Sequence, residues 1–259
     1  MIRTVNVIRY ITPLREGGSL PAIVEADDKK LYVMKFRGAG QGVKSLVAEL
    51  IGGEIARRLN LRVPTIVFAE LDESFGRIEG DEEIQDLLKS STGLNLAVTY
   101  LAEAITFDPI INKVDALLAS KIVWLDSFLL NVDRTARNTN MLMWKGDLWL
   151  IDHGASLIFH HNWESMRVND KVVPNGARPF SQISKHVLRT KATRLEEVND
   201  LFKSVLNRDV IQGIADHIPD KWLNEDGAFG SAEENRSAYV DFLTTRLNYS
   251  SEFIKEVAL

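Results

Sequence analysis

Apolar and polar residues alternate over short runs in the first hundred positions, whereas later apolar residues recur every three to four positions over longer runs. Thr4 to Ile11, Ala22 to Ala26 and Leu31 to Phe36 read as strands, separated by the glycine turn Glu16, Gly17, Gly18, Ser19 and the tight charged turn Asp27, Asp28, Lys29. Lys44 to Leu59 has helical spacing, with Leu46, Leu50, Ile51, Ile55 and Leu59 in phase. Gly52, Gly53 and Ala56 give that helix a smooth patch for close packing. A strand is expected at Thr65 to Ala69, at most one short helix around Ile84 to Lys89, and another strand at Leu94 to Leu101. Near residue 103 the character changes. Val114 to Leu130 carries apolar residues at Val114, Leu117, Leu118, Ile122, Leu125, Phe128 and Leu129, the pattern of a buried helix. Met141 to Trp144 and Leu148 to Ile151 are strand-length runs around the turn residues Lys145, Gly146 and Asp147. Phe159 to Asn175 has no clear period and reads as a loop. Helices are expected at Leu195 to Leu206, Val210 to Ile218, from Asp220, and through Ser231 to Val257. The fold class is therefore α+β: a strand-rich part with one main helix, residues 1–103, and a mostly helical part, residues 104–259, with a cleft between them.

Composition narrows the function classes. A chain of 259 residues with 45% hydrophobic positions can fill one large core or two small lobes. A net charge of −5 lacks the bulk positive field of a nucleic-acid binder, so no such partner is indicated. There are no cysteines, which excludes disulfides and thiolate metal sites. The run MIRTVNVIRYITPL is interrupted by Arg3 and Arg9, unlike a signal peptide, and no apolar run approaches the roughly 20 residues that cross a bilayer. A cytoplasmic location is expected.

Candidate chemistry concentrates in Asn131 to Ser156. A hairpin closing at Lys145-Gly146 brings its outer ends together, placing Asp133 and Asn138 at one mouth with Asp152, His153 and Gly154. Carboxylate and amide oxygens are hard donors of the kind magnesium takes, and a second carboxylate can accept a proton from an attacking hydroxyl. Upstream, Lys35 lies in a strand between Met34 and Phe36, and a lysine buried there needs a carboxylate partner. Glu49, one turn before Gly52, is the favoured partner, and Glu54 is the competitor. Gly17 and Gly18 tip a hairpin whose free N–H groups suit a polyphosphate. Each residue also has a plain reading: Asp133, Asn138 and Asn140 as turn residues, Asp152 as a cap or partner of Arg134, the glutamates as a solvated face. His153, His160 and His161 raise a metallohydrolase, without the repeated His and Asp spacing expected there.

Taken together, Gly17-Gly18-Ser19, Lys35 in YVMKFRGAGQG, Glu49 in VAELIGGEIARRL, the DRTARN run and LWLIDHGASL are similar to the HipA-like kinase family of bacteria, and Asp133-Arg134 resembles the catalytic loop of phosphatidylinositol-3/4-kinase-like enzymes. Protein kinases share the five-residue step from aspartate to asparagine and the later aspartate before an aromatic and a glycine. The resemblance implies a bilobal protein-kinase-like fold that binds ATP with Mg2+, the first lobe taking the nucleotide. It implies Lys35 on the phosphates with Gly17, Gly18 and Ser19, Glu49 orienting Lys35, Asp133 as base, and Asn138 and Asp152 on the metal. The expected activity is transfer of the γ-phosphoryl group to a hydroxyl, most readily a Ser or Thr of a protein. A small-molecule or lipid kinase and a silent nucleotide-binding pseudokinase are the competing readings. His153 departs from the phenylalanine often found there.

Overall fold

Strand alternation near the start of the chain closes a barrel. The computed structural model describes residues 2–14, 20–78, 80–169, 171–225 and 227–258, so the Gly17-Gly18-Ser19 turn lies outside the described residues. Strands β1 (Thr4–Pro13), β2 (Ala22–Ala26), β3 (Leu31–Lys35), β4 (Ile66–Leu71) and β5 (Gly93–Thr99) follow the order β1-β2-β3-β5-β4 around the barrel. All pairs are antiparallel except β1 with β4, where Thr4 to Asn6 run alongside Phe68 to Glu70. Successive side chains point to opposite faces. Val5, Val24, Tyr32, Met34, Val67 and Ala97 fill the barrel, and Lys35, next after Met34, is thereby turned outward.

Helix α1 (Gly42–Arg58) receives that outward face. Eleven of its seventeen residues are buried, more than one amphipathic face supplies, because it has neighbours on two sides. Leu46, Leu50, Ile51 and Ile55 share one continuous core with Ile66, Phe68, Leu96 and Val98 of the barrel wall and with the residues of α4 (Ala116–Leu129). Helix α4 is apolar almost all round and is buried accordingly, its start capped by Asp115, whose carboxylate accepts from Leu118 N at 2.9 Å. Around it pack α5 (Leu195–Val205), α8 (Ala232–Asn248) and α9 (Ser250–Ala258), while α6 (Arg208–Ala215) and α7 (Asp220–Asn224) pack on α8 and α1. Helix α7 also reaches the barrel: Trp222 packs edge-on against Phe68 at 5.6 Å and donates to the Leu94 carbonyl at 3.3 Å. No helix among the described residues is long and apolar enough to cross a membrane.

Three expectations need correction. The stretch 72–93 holds two helices, α2 (Phe75–Ile78) and α3 (Glu82–Ser90), the second capped by Asp81. Residues 159–175 are not a plain loop: two short 3-10 segments fill Ile158–Met166, separated by a kink at Asn162 (φ −143°, ψ 66°), and β9 (Arg167–Val168) pairs with β10 (Lys171–Val172). Phe159 stacks on Phe242 at 3.5 Å and meets Trp163 at 5.1 Å, so aromatic packing orders a segment with no usable period. The helical region after Ser231 breaks at Tyr249, and the turn back brings Phe253 to Trp124 at 5.5 Å.

One buried cation secures the end of α4. Arg246 on α8 is 1% exposed, and burial pulls its guanidinium down to about 10 against the opposing charge of Glu256. It donates to the carbonyls of Ser127, Phe128, Gly176 and Arg178 at 2.5 to 3.0 Å, taking the acceptors that a helix end leaves open. Arg246→Met keeps the stem and strips these donors, and is expected to lower unfolding free energy by about 2–4 kcal/mol, read from denaturant melts.

Candidate active site

The end of α4 sets the loop that follows. Leu130 takes a left-handed conformation, φ 56°, which stops the helix and turns Asn131 back over it. The wholly buried Asp126 accepts from Asn131 Nδ2 at 2.9 Å and from Arg134 Nε at 2.5 Å, so Arg134 is paired with Asp126 and not with Asp152. Asn131 Oδ1 in turn accepts the Asp133 N–H at 3.1 Å. Both later asparagines converge on Asp133: Nδ2 of Asn138 reaches its Oδ2 at 2.8 Å, and Nδ2 of Asn140 reaches the same oxygen at 3.2 Å and the backbone carbonyl at 3.0 Å. They differ in setting. Asn140 is buried with φ 47° and braces the loop, whereas Asn138 is exposed and leaves its amide oxygen without a bond among the described residues.

Beyond the loop, β7 (Met141–Trp144) and β8 (Asp147–Leu150) pair through a two-residue turn, and β6 (Ile105–Thr106) joins β7 on the other edge. Lys145 and Gly146 both have positive φ, 52° and 85°, the turn whose twist matches a hairpin. Ile151 N donates to the Asn140 carbonyl at 3.0 Å and closes the mouth. The next residue, Asp152, is left-handed at φ 53°, a conformation its surroundings must enforce. His153 follows, 1% exposed, pressed on Gly52 of α1; a Cβ there would lie 2.7 Å from His153 Cβ, so glycine alone permits the approach.

That approach assembles the charges. His153 N donates to Glu49 Oε2 at 2.6 Å, and Lys35 Nζ donates to Glu49 Oε2 at 2.6 Å and to Asp152 Oδ1 at 2.7 Å. Glu54 is taken instead by Arg57. A cavity of about 1230 Å³ between barrel and helical part is lined by Lys35, Glu49, Asp133, Asn138 and Asp152 among others. Asp152, with a side chain 43% exposed, and the free amide oxygen of Asn138 are hard-oxygen donors on its wall, a set suited to a magnesium-type cation that draws further ligands from a bound phosphate. Among the described residues no group of three or more His, Cys, Asp or Glu could hold a metal by itself. His160 is wholly buried, shares a hydrogen bond with Tyr239 at 3.0 Å, and is kept neutral by burial and by the charges of His161 and Lys44. Asp126 and Asn131 escaped the sequence reading, although a lone carboxylate inside an apolar helix was the available signal.

The model of the HipA-like kinases matches residues 7–254, nearly the whole chain. The chain belongs to the HipA-like kinase family. Its fold is similar to that of a Helicobacter pylori proinflammatory kinase, CtkA, with a TM-score of 0.56 and 12% identity over 97% of this chain and 96% of that one. The Golgi casein kinase is more distant, at a TM-score of 0.48 and 12% identity over 98% of this chain and 72% of that one. No curated protein sequence matches the chain.

In this HipA-like kinase the cleft charges hold one another ionised. Burial alone would discharge Lys35, but Asp152 and Glu49 outweigh it and hold the ammonium above its ordinary range. Glu49 is likewise driven well below the usual carboxylate value, Lys35 and the His153 N–H overcoming its burial. A carboxylate with a depressed folded pKa is protonated more readily in the unfolded chain. Its contribution is therefore complete above the ordinary value of 4.5 and is lost as pH falls through and below it. The urea midpoint of the kinase should fall between about pH 6 and about pH 3. Glu49→Gln should flatten that fall while lowering the neutral-pH midpoint, because Lys35 keeps only Asp152.

Proposed function

We propose that this kinase is a Ser/Thr protein kinase that transfers the γ-phosphoryl group of Mg-ATP to a protein hydroxyl. The observation that carries the reading is Lys35, bonded at once to Glu49 at 2.6 Å and Asp152 at 2.7 Å, on the wall of a cavity that also presents Asp133 and Asn138. A charged lysine held by two carboxylates is pre-oriented for phosphate oxygens at no reorganisation cost when substrate arrives. Asp133, its Oδ2 fixed by two amides, keeps Oδ1 to accept a hydrogen bond from the acceptor hydroxyl and to align it with the phosphorus. Asn138 and Asp152 are the residues to hold magnesium, which when bound supplies positive charge against the phosphates.

In the same reading residues 1–103 form the nucleotide-binding lobe and residues 104–259 the catalytic and metal-binding lobe. Gly17, Gly18 and Ser19, outside the described residues, are assigned to the phosphates in this reading, since glycine leaves backbone N–H groups open to anionic oxygens. A protein acceptor fits the kinase family that matches the chain.

Asp133→Ala is expected to lower the rate of ADP release from Mg-ATP by about 100-fold or more while nucleotide affinity stays near wild type, since the base acts in the transition state. Loss of nucleotide binding in step with the rate would remove Asp133 from that role. Asp152→Ala should instead weaken magnesium-dependent nucleotide binding, measured by calorimetry, and leave magnesium-free binding little changed; unchanged magnesium dependence would exclude Asp152 as a ligand.

A further inference from the structure

Behind the loop that carries Asp133 lies a buried polar hub that the proposed chemistry does not use. Asp126 is 0% exposed, and its carboxylate takes three donors: Asn131 Nδ2 at 2.9 Å on Oδ1, and Arg134 Nε at 2.5 Å and His186 Nε2 at 2.9 Å on Oδ2. Burial of the carboxylate would raise its pKa, yet Arg134 and His186 hold it well below the ordinary range. Each donor leads in one further step to Asp133 or its frame. Asn131 holds the Asp133 N–H, and Arg134, the next residue, sends Nη1 to the carbonyls of Asn140 and, at 3.4 Å, Ile151.

His186 comes to the hub from 60 positions beyond Asp126. Its Nδ1 accepts the Leu188 N–H at 3.0 Å, so a neutral ring carries its hydrogen on Nε2 and donates it to Asp126. The backbone is joined at the same place: Thr135 and His186 form an antiparallel bridge, and Val187 N donates to the Arg134 carbonyl at 3.0 Å. The imidazole and Arg134 Nε share Oδ2 of Asp126 while Asn131 takes Oδ1, so the three donors together fix the carboxylate from which Asn131 and Arg134 reach the loop. Nη1 of Arg134 stays on the carbonyls of Asn140 and Ile151. Without His186 the carboxylate loses one of these donors and is free to turn, carrying Asn131 and Arg134 off that frame.

We propose that His186 is a positioning residue for phosphoryl transfer, acting through Asp126 and Arg134 on the placement of Asp133. The inference rests on the reading of Asp133 as the base. It assigns the segment around Ile183 to Leu188 the task of keeping the loop in register from behind.

Two substitutions divide the functions of the imidazole. His186→Asn keeps an acceptor near the Leu188 N–H and lacks the reach to Asp126, whereas His186→Gln keeps the donor to Asp126. Rates of ADP release from Mg-ATP, nucleotide Kd and thermal midpoints are measured for both. His186→Asn is expected to lower kcat by about 10- to 100-fold with nucleotide Kd within about twofold, and His186→Gln to return kcat to within about threefold of wild type. Equal kcat in the two variants, per folded molecule, means a structural role only and overturns the proposal. In an Asp133→Ala background His186→Asn should cost nothing further; losses that multiply overturn the route through Asp133. Arg134→Lys, which keeps charge on Asp126 and removes the Nη1 donors, reads the same route should His186→Asn fail to fold: lowered kcat supports it, and wild-type kcat overturns it. An Asp133→Ala variant that turns over normally removes the base assignment itself, whatever the His186 variants do.

Discussion

An ammonium group removed from water must find negative charge close by, and in this kinase Lys35 finds it from two directions. Glu49 belongs to a helix packed against the barrel, Asp152 to the turn after the β7–β8 hairpin. The ion pairs therefore measure whether barrel, helix and hairpin are all in place, and each has its own means of arriving. Pleating turns Lys35 out of the barrel because Met34 fills it. The absence of a side chain at Gly52 lets His153 approach α1, and its backbone N–H fixes the same glutamate oxygen that holds the lysine. One ammonium against two carboxylates leaves an excess of negative charge in the cleft, a balance that suits cationic company there.

Local rules made much of this legible. Strand alternation located Lys35, three-to-four spacing located α1, and the two polar residues with a turn between short apolar runs marked the hairpin. Choosing Glu49 over Glu54 was also within reach, since only Glu49 stands on the side of the glycine patch that packs inward; Glu54 meets Arg57 one turn on.

What escaped was long-range. His186 meets Asp126 across 60 positions, and nothing in the residues near either one announces the meeting. The kinked 3-10 segments at Ile158–Met166 were hidden because their order comes from rings on α8, with Phe159 against Phe242, not from their own period. The break at Tyr249 was concealed in a run whose apolar spacing stays nearly helical while the chain turns to bring Phe253 onto Trp124. Secondary structure imposed from outside leaves little trace in the segment that adopts it.

Helix α1 lies at residues 42–58 but is sheathed by α6 and α7, which end at residue 224. During synthesis the barrel strands and α1 leave the ribosome long before those helices do. Until they follow, the side of α1 that meets α6 and α7 lacks its cover, although the barrel wall on its other side is already made. The interval before α6 and α7 emerge is the one in which that side of α1 has most need of shielding.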